Sequence, residues 1–121
     1  MGNWFIFTRV RFAASCGHLS IVKYFISIMY SLPPYHIYNK ALNETIVEGH
    51  LEVVKFLIQA DPNIMNINHR NNEIGLRIAA KNNHIDIARY LISQGADLNV
   101  AILTSIKSGN KSNEHFLRQL Y

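Results

Sequence analysis

The sequence predicts an all-α fold, a solenoid of stacked helix–turn–helix units. Three observations carry this. One phrase recurs: residues 17–26 read GHLSIVKYFI, residues 49–58 read GHLEVVKFLI and residues 83–92 read NHIDIARYLI. The histidines that mark it, His18, His50 and His84, stand 32 and 34 residues apart, and self-similarity at this period is the signature of a helical repeat. Within each copy the apolar residues keep helical rather than strand spacing.

The recurring phrase supplies the second helix of each unit. In copy two, Leu51, Val53, Val54, Leu57 and Ile58 share one helical face, and Glu52, Lys55 and Gln59 the other. Leu19, Ile21, Val22, Phe25 and Ile26 repeat the pattern in copy one, and Ile85, Ile87, Ala88, Leu91 and Ile92 in copy three. A short first helix precedes each, residues 10–15 (VRFAAS) in copy one and 76–81 (LRIAAK) in copy three. Ala13-Ala14 and Ala79-Ala80 permit close helix approach; copy two carries the bulkier Thr45 and Ile46 there, so its packing must differ. Gly17 and Gly49 end the first helix, because a tight stop needs the left-handed conformation, and Asn83 is the next-best residue for it. Glu52 and Asp86 then stand in the first turn of the second helix, at the positive end of its dipole.

Copy three leaves its second helix through Gly95-Ala96-Asp97-Leu98-Asn99. In copy two the same register holds Asp61-Pro62. Asp61 is expected to imitate the glycine turn with some strain, and Pro62 to stop the helix. Copy one exits through a diverged stretch, residues 29–34. A weak fourth copy follows, with Gly109 in the place of Gly49 and Phe116, Leu117 and Leu120 continuing the apolar face. His84 to Asn110 is only 26 residues, so about eight are expected to be missing from the connecting loop. Lys111, Asn113 and Glu114 fall at apolar positions, as in a C-terminal cap with no neighbour on one side. The N-terminal edge, Trp4, Phe5, Ile6 and Phe7, has no such polar face. The units run approximately over residues 5–33, 34–66, 67–99 and 100–121, within one domain, 1–121.

Apolar residues at 49% and charged residues at 17% suit a folded chain rather than a disordered one. The net charge is +4, but the basic residues are scattered and no run reaches three, which argues against a nucleic-acid footprint. The single cysteine, Cys16, rules out a disulfide framework within the chain and fits a reducing, cytoplasmic setting. The longest mostly apolar stretch, residues 24–35, contains Pro33 and Pro34 and falls short of the roughly 20 residues a membrane span needs. Residues 1–8 (MGNWFIFT) lack the basic start and small-residue cleavage site of a signal peptide.

Together these residues resemble the ankyrin repeat, over residues 12–26, 44–63 and 76–99 and most specifically in GHLEVVKFLI and ISQGADLN. The family's Thr-Pro-Leu-His helix start is absent. Its slots hold Thr8-Arg9-Val10-Arg11, Lys40-Ala41-Leu42-Asn43 and Ile74-Gly75-Leu76-Arg77, so the threonine–histidine hydrogen bonds of that motif are not expected. The phrasing is also similar to the ankyrin sets encoded by giant DNA viruses of amoebae, rich in Asn, Ile, Tyr and Lys. The resemblance implies a non-enzymatic protein–protein interaction module without cofactor, metal or small-molecule substrate. Its partner would be a protein, and a host protein inside the host cell if the origin is viral.

In that family the first-helix ends and loop tips form a concave binding surface. By register these are Ser15 and Cys16, Val47 and Glu48, Lys81 and Asn82, and Lys107 and Ser108. The loop before copy two adds Ile37 and Asn39, and the loop before copy three adds Arg70, Asn71 and Glu73. One aliphatic patch, several amides and a few charges suit a polar protein interface. The three histidines lie one per repeat, roughly 10 Å apart by helix packing distances, whereas zinc ligands converge to about 2 Å from one ion. They read as turn residues bonded to the backbone. Cys16 has no positioned base or oxyanion site beside it and reads as structural. Lys23, Lys55 and Arg89, with Tyr24, Phe56 and Tyr90 adjacent, read as a solvated column whose stems cover apolar neighbours rather than as a phosphate-tracking strip. Two other readings stay open: a vestigial, truncated fragment that self-associates through its apolar edge, and a weak basic nucleic-acid binder.

Overall fold

A computed structural model describes the backbone of residues 3–28, 35–61 and 69–120, and the side chains of residues 5–28, 38–61 and 74–120. The described residues form eight helices in four pairs: α1 (Asn3–Ser15) and α2 (Leu19–Ile28), α3 (Tyr35–Glu48) and α4 (Leu51–Ala60), α5 (His69–Lys81) and α6 (Ile85–Ser93), and α7 (Leu98–Lys107) and α8 (Lys111–Arg118). They divide into two compact units, residues 1–61 and 62–121, with two pairs in each.

Main-chain hydrogen bonds close the turn inside every pair. At the end of α1, Gly17 stands at φ +81°; its amide donates to the Ala14 carbonyl at 3.0 Å and the His18 amide to the Ala13 carbonyl at 2.9 Å. This two-bond closure satisfies carbonyls that a helix end leaves open. The same pair of bonds recurs at Gly49-His50, Asn83-His84 and Gly109-Asn110, and again after α6 at Gly95-Ala96. Asn83 takes φ +60° in the slot that glycine fills elsewhere.

In the first unit α1 packs on α2 and α3, and α4 on α3 and α2. Val10, Ala14, Val22, Leu42, Ile46, Val54 and Leu57 are buried between them, each large side chain contributing about 1.5–3 kcal/mol relative to exposure. Thr45 occupies an alanine slot fully buried, because its hydroxyl donates to the Ala41 carbonyl of its own helix at 2.7 Å. Tyr38 ties α3 to α4 by donating its buried hydroxyl to the Leu57 carbonyl at 2.5 Å. Burial, and then the nearby Asp61 carboxylate, push the Tyr38 phenol well above its ordinary value. Arg11 ties α1 to α3, with Nε and one terminal nitrogen each 2.8 Å from Glu44 Oε1.

In the second unit α5 packs on α6, α7 and α8, and α7 on α8, around Leu76, Ala79, Ile87, Leu91, Ala101 and Leu117. Asp97 caps α7, accepting from the Val100 amide at 3.1 Å, and Asn110 caps α8, accepting from the Asn113 amide at 3.0 Å. The family-typical GAD phrase therefore ends one repeat and starts the next helix.

Four sequence expectations change. The first helices are longer than 10–15 and 76–81: α1 starts at Asn3, and α5 runs through Gly75 from His69, since tertiary packing overrides the propensity penalty of about 1 kcal/mol for glycine. Asp61 does not imitate the glycine turn. It is extended at φ −141°, as the residue before a proline is driven to be. The fourth pair's deficit lies partly in its helices: α7 is three residues shorter than α5 and α6 one shorter than α4. Asn113 is not part of a polar outer face. It is buried, with its amide nitrogen 3.4 Å from the Arg77 carbonyl.

Candidate functional site

The turn geometry fixes where the candidate residues fall. Because each first helix ends on the same two-bond closure, the two residues just before the positive-φ residue hold a constant register: Ser15 and Cys16, Val47 and Glu48, Lys81 and Asn82, Lys107 and Ser108. Ser15 is half-buried and the other seven are exposed. Three of the eight fold back onto their own helix. Ser15 Oγ donates to the Phe12 carbonyl at 2.9 Å, Asn82 Nδ2 to the Ile78 carbonyl at 2.9 Å and Ser108 Oγ to the Ser105 carbonyl at 3.1 Å. The outward chemistry is thus carried by Cys16, Val47 and Glu48 in the first unit and by Lys81 and Lys107 in the second. The first set offers a thiol, an aliphatic patch and a carboxylate; the second offers two cations.

The residues expected on loops before copies two and three are helical instead. Ile37 and Asn39 lie in α3, and Arg70, Asn71 and Glu73 in α5; no proline or helix-ending glycine turn intervenes between these polar stretches and the apolar residues that anchor each helix. The side chains of Ile37, Arg70, Asn71 and Glu73 lie outside the described ones. The Asn39 amide oxygen is buried without a hydrogen-bond partner among the described residues, so it is not a loop-tip group.

The repeated histidines cap the second helices through their backbone. His50 and His84 sit at φ −93° and −96° ahead of α4 and α6, and neither makes a side-chain cap hydrogen bond to the helix it precedes. The His50 ring instead packs over Gly17 of the preceding pair: a methyl group built on Gly17 would stand 2.6 Å from His50 Nδ1 and 2.8 Å from Cε1. Among the described residues no three His, Cys, Asp or Glu side chains gather as a metal site requires. Lys23 lays its ammonium 5.8 Å from the centre of the Phe56 ring, and Lys55 lies 3.6 Å from Glu52. In the first unit the basic column therefore covers an aromatic neighbour and meets an acid.

One surface went unrecognised beyond its N-terminal aromatic run. An open groove of about 640 Å³ is lined from α1 and α2 by Phe5, Phe12, Ile21 and Phe25, with Arg9 and His18 beside them. Phe7 of the WFIF run is buried, while Phe5 and Phe12 are each 69% exposed. The Arg9 guanidinium lies 4.8 Å from the Phe5 ring centre. Helical spacing put Ile21 on the apolar face of α2, and its counterparts Val53 and Ile87 are buried, yet Ile21 itself is 43% exposed. Its position in the first repeat was the available signal. No helix among the described residues is long and apolar enough to cross a membrane.

Comparison with known proteins matches this architecture. The profile described as Ankyrin repeats (3 copies) matches residues 10–102. The chain is 44% identical over 64 residues to protein phosphatase 1 regulatory subunit 27 of Mus musculus, covering 50% of this chain and 39% of that protein. It is 41% identical over 49 residues to alpha-latrotoxin-Lt1a of Latrodectus tredecimguttatus, covering 40% of this chain and 4% of the toxin. It is 39% identical over 75 residues to the serine/threonine-protein kinase TNNI3K of Mus musculus, covering 60% of this chain and 9% of the kinase. The chain thus spans well under half the length of each of these relatives.

Proposed function

Because the chain belongs to the ankyrin repeat family, whose repeats generally mediate protein–protein interaction and are typically non-enzymatic, we propose that it binds a protein partner through its first-helix ends, on the concave face such arrays present. The observation that carries the reading is the constant register of exposed side chains at those ends, held by turns that need no help from them. Side chains mounted on helix ends lose little ordering entropy when a partner docks. Glu48 and Val47 would meet a basic and an apolar group of the partner, and Lys81 and Lys107 acidic ones. The phosphatase regulatory subunit among the relatives supports the same class of function.

The four helix pairs act in this reading as one domain, residues 1–121; the histidine spacing of 34 residues between the second and third copies runs across the boundary of the two units. The Asn-, Ile-, Tyr- and Lys-rich phrasing supports an origin among the ankyrin sets of giant amoebal viruses, which makes the partner a host protein inside the cell. Affinity capture from amoebal lysate on the immobilised chain tests this, comparing the parent with a variant carrying Glu48→Ala, Lys81→Ala, Asn82→Ala and Lys107→Ala. A specific protein retained by the parent and lost by the variant is expected. Equal capture by both would refute the site, and retention only of nucleic acid that elutes with moderate salt would replace the reading with electrostatic nucleic-acid binding.

A further inference from the structure

We propose that the crevice between the end of α5 and α8, inside the second unit, binds a phosphate monoester. It holds about 360 Å³, within the range of small-ligand sites. Lys81 and Asn83 line it from the end of α5 and its turn, and Ser112, His115 and Gln119 from α8 and its cap, with Phe116 as an apolar wall. Each of the five polar side chains can donate a hydrogen bond, and no carboxylate lines the crevice. Gln119 Nε2 lies 3.0 Å from His115 Nε2, which holds these two side chains together. Among the described residues Lys81 is in no ion pair, whereas Arg11, Lys55 and Arg118 each have one. Glu114, the acid of α8, is taken by Arg118 at 2.8 Å.

The first unit holds the same three registers with a different charge. Asn83 stands where Gly17 does and Gly109 where Gly49 does, with the same turn closures. Lys81, Ser112 and His115 therefore take the registers of Ser15, Glu52 and Lys55. In the first unit Glu52 lies 3.6 Å from Lys55, and the Ser15 hydroxyl bonds back to its own helix. Those three positions are neutral together and satisfy one another. In the second unit the acid is replaced by a hydroxyl and the serine by a lysine. The set turns positive and loses its internal acceptor, while the turns that frame it keep their geometry.

The donor set suits phosphate better than carboxylate. A phosphate monoester carries about −1.5 to −2 charges near neutral pH and three strong acceptor oxygens. An ammonium, an imidazole, a hydroxyl and two amides supply more donors than the two oxygens of a carboxylate can use. Phe116 gives the carbon side of the ester an apolar surface. Lys81 belongs both to the crevice and to the helix-end surface, so the source is a phosphorylated side chain of the protein partner. That source rests on the function proposed above; the site itself does not.

The test is an NMR titration of the isotope-labelled chain at low salt and neutral pH. The probes are N-acetyl-phosphoserine methylamide, its unphosphorylated serine counterpart and inorganic phosphate. The phosphoserine compound is expected to give saturable shifts at Lys81, Ser112 and His115 with a Kd of about 1 mM. The serine compound should give none, and inorganic phosphate should bind more weakly. Lys81→Ala and Ser112→Glu, both at exposed positions, should each weaken binding roughly tenfold or more. Ser112→Glu restores the acid that the first unit has in this register and suits the first turn of a helix, so the helical circular dichroism should not change. Lys40→Ala, at an exposed lysine of the first unit, should leave binding unchanged. Failure to saturate by about 10 mM, shifts spread over the exposed lysines of both units, or a Ser112→Glu chain that binds like the parent would overturn the site. Inorganic phosphate binding as tightly as the phosphoserine compound would overturn the side-chain source. No partner enters this titration, so loss of the site leaves the lysate capture to be decided on its own.

Discussion

Substituting Gly17 and Gly109 by alanine separates two reasons for a glycine that one turn motif combines. Both residues hold the left-handed conformation, at φ +81° and +74°, and for a residue with a Cβ that conformation costs roughly 1–2 kcal/mol. Gly109→Ala should cost only that, since nothing lies within 4 Å of the added methyl. Gly17→Ala adds a methyl 2.6 Å from His50 Nδ1 and 2.9 Å from Cγ. Relief requires the His50 ring to turn away or the two pairs to move apart, and overpacking of this kind adds about 1–3 kcal/mol. Chemical denaturation of both variants, in the parent and in a His50→Ala background, measures the difference. The expected result is a larger loss at Gly17 and a coupling of about 1–3 kcal/mol with His50, absent for Gly109. Equal losses at the two glycines, or a Gly17→Ala effect indifferent to His50→Ala, would show that the histidine does not set the close approach between the first two pairs.

Tyr38→Phe removes the buried bond to the Leu57 carbonyl and should cost about 1 kcal/mol at neutral pH. The Tyr38 phenol is raised by burial and by Asp61. The stabilisation from holding it neutral is therefore complete below the unfolded value of about 10 and is lost as pH rises from there toward the folded value. Denaturation curves of parent and variant should converge as the pH is taken above 10, and a constant gap would contradict the burial. A double-mutant cycle on Arg11 and Glu44 should give a coupling below about 1 kcal/mol, because the pair is about one-third exposed on each side. Asp97→Ala and Asn110→Ala should each cost about 1 kcal/mol through loss of a helix cap, read as a lower melting midpoint. Asn113→Val restores the aliphatic residue that the second copy has at that register and removes an amide held only at 3.4 Å; a rise in the midpoint of a few degrees is expected, and a fall would mean that the bond to Arg77 carries more than its length suggests.

The pairing of helices and the residues that turn them were legible because glycine, asparagine and the apolar spacing each answer a single local demand. Gly17, Gly49 and Asn83 adopt the conformation their identity implies. What local reading missed was decided by neighbours. Gly75 is a breaker by propensity and helical in fact, because the packing of α5 on α6 and α7 outweighs its penalty. Asp61 was compared with Gly95 by register, but Pro62 after it governs its backbone. Ile21 and Val53 are indistinguishable as sequence, and only their place in the order of repeats makes one exposed and the other buried. Of the candidate surface, the register of the helix ends was readable. The folding back of Ser15, Asn82 and Ser108 was not, since a side chain's choice between its own helix and solvent depends on geometry that spacing does not encode.

The turns that close each pair have a consequence for how such a surface can change. Their hydrogen bonds run between backbone groups, and their one compositional demand falls on the residue at positive φ. The bonds that close the turn use no side chain of the two residues just before it. On the proposed reading of the helix ends as the binding surface, substitution at these positions alters recognition with little effect on the turns, and the chain can be retuned from one partner to another without passing through an unfolded intermediate in sequence space.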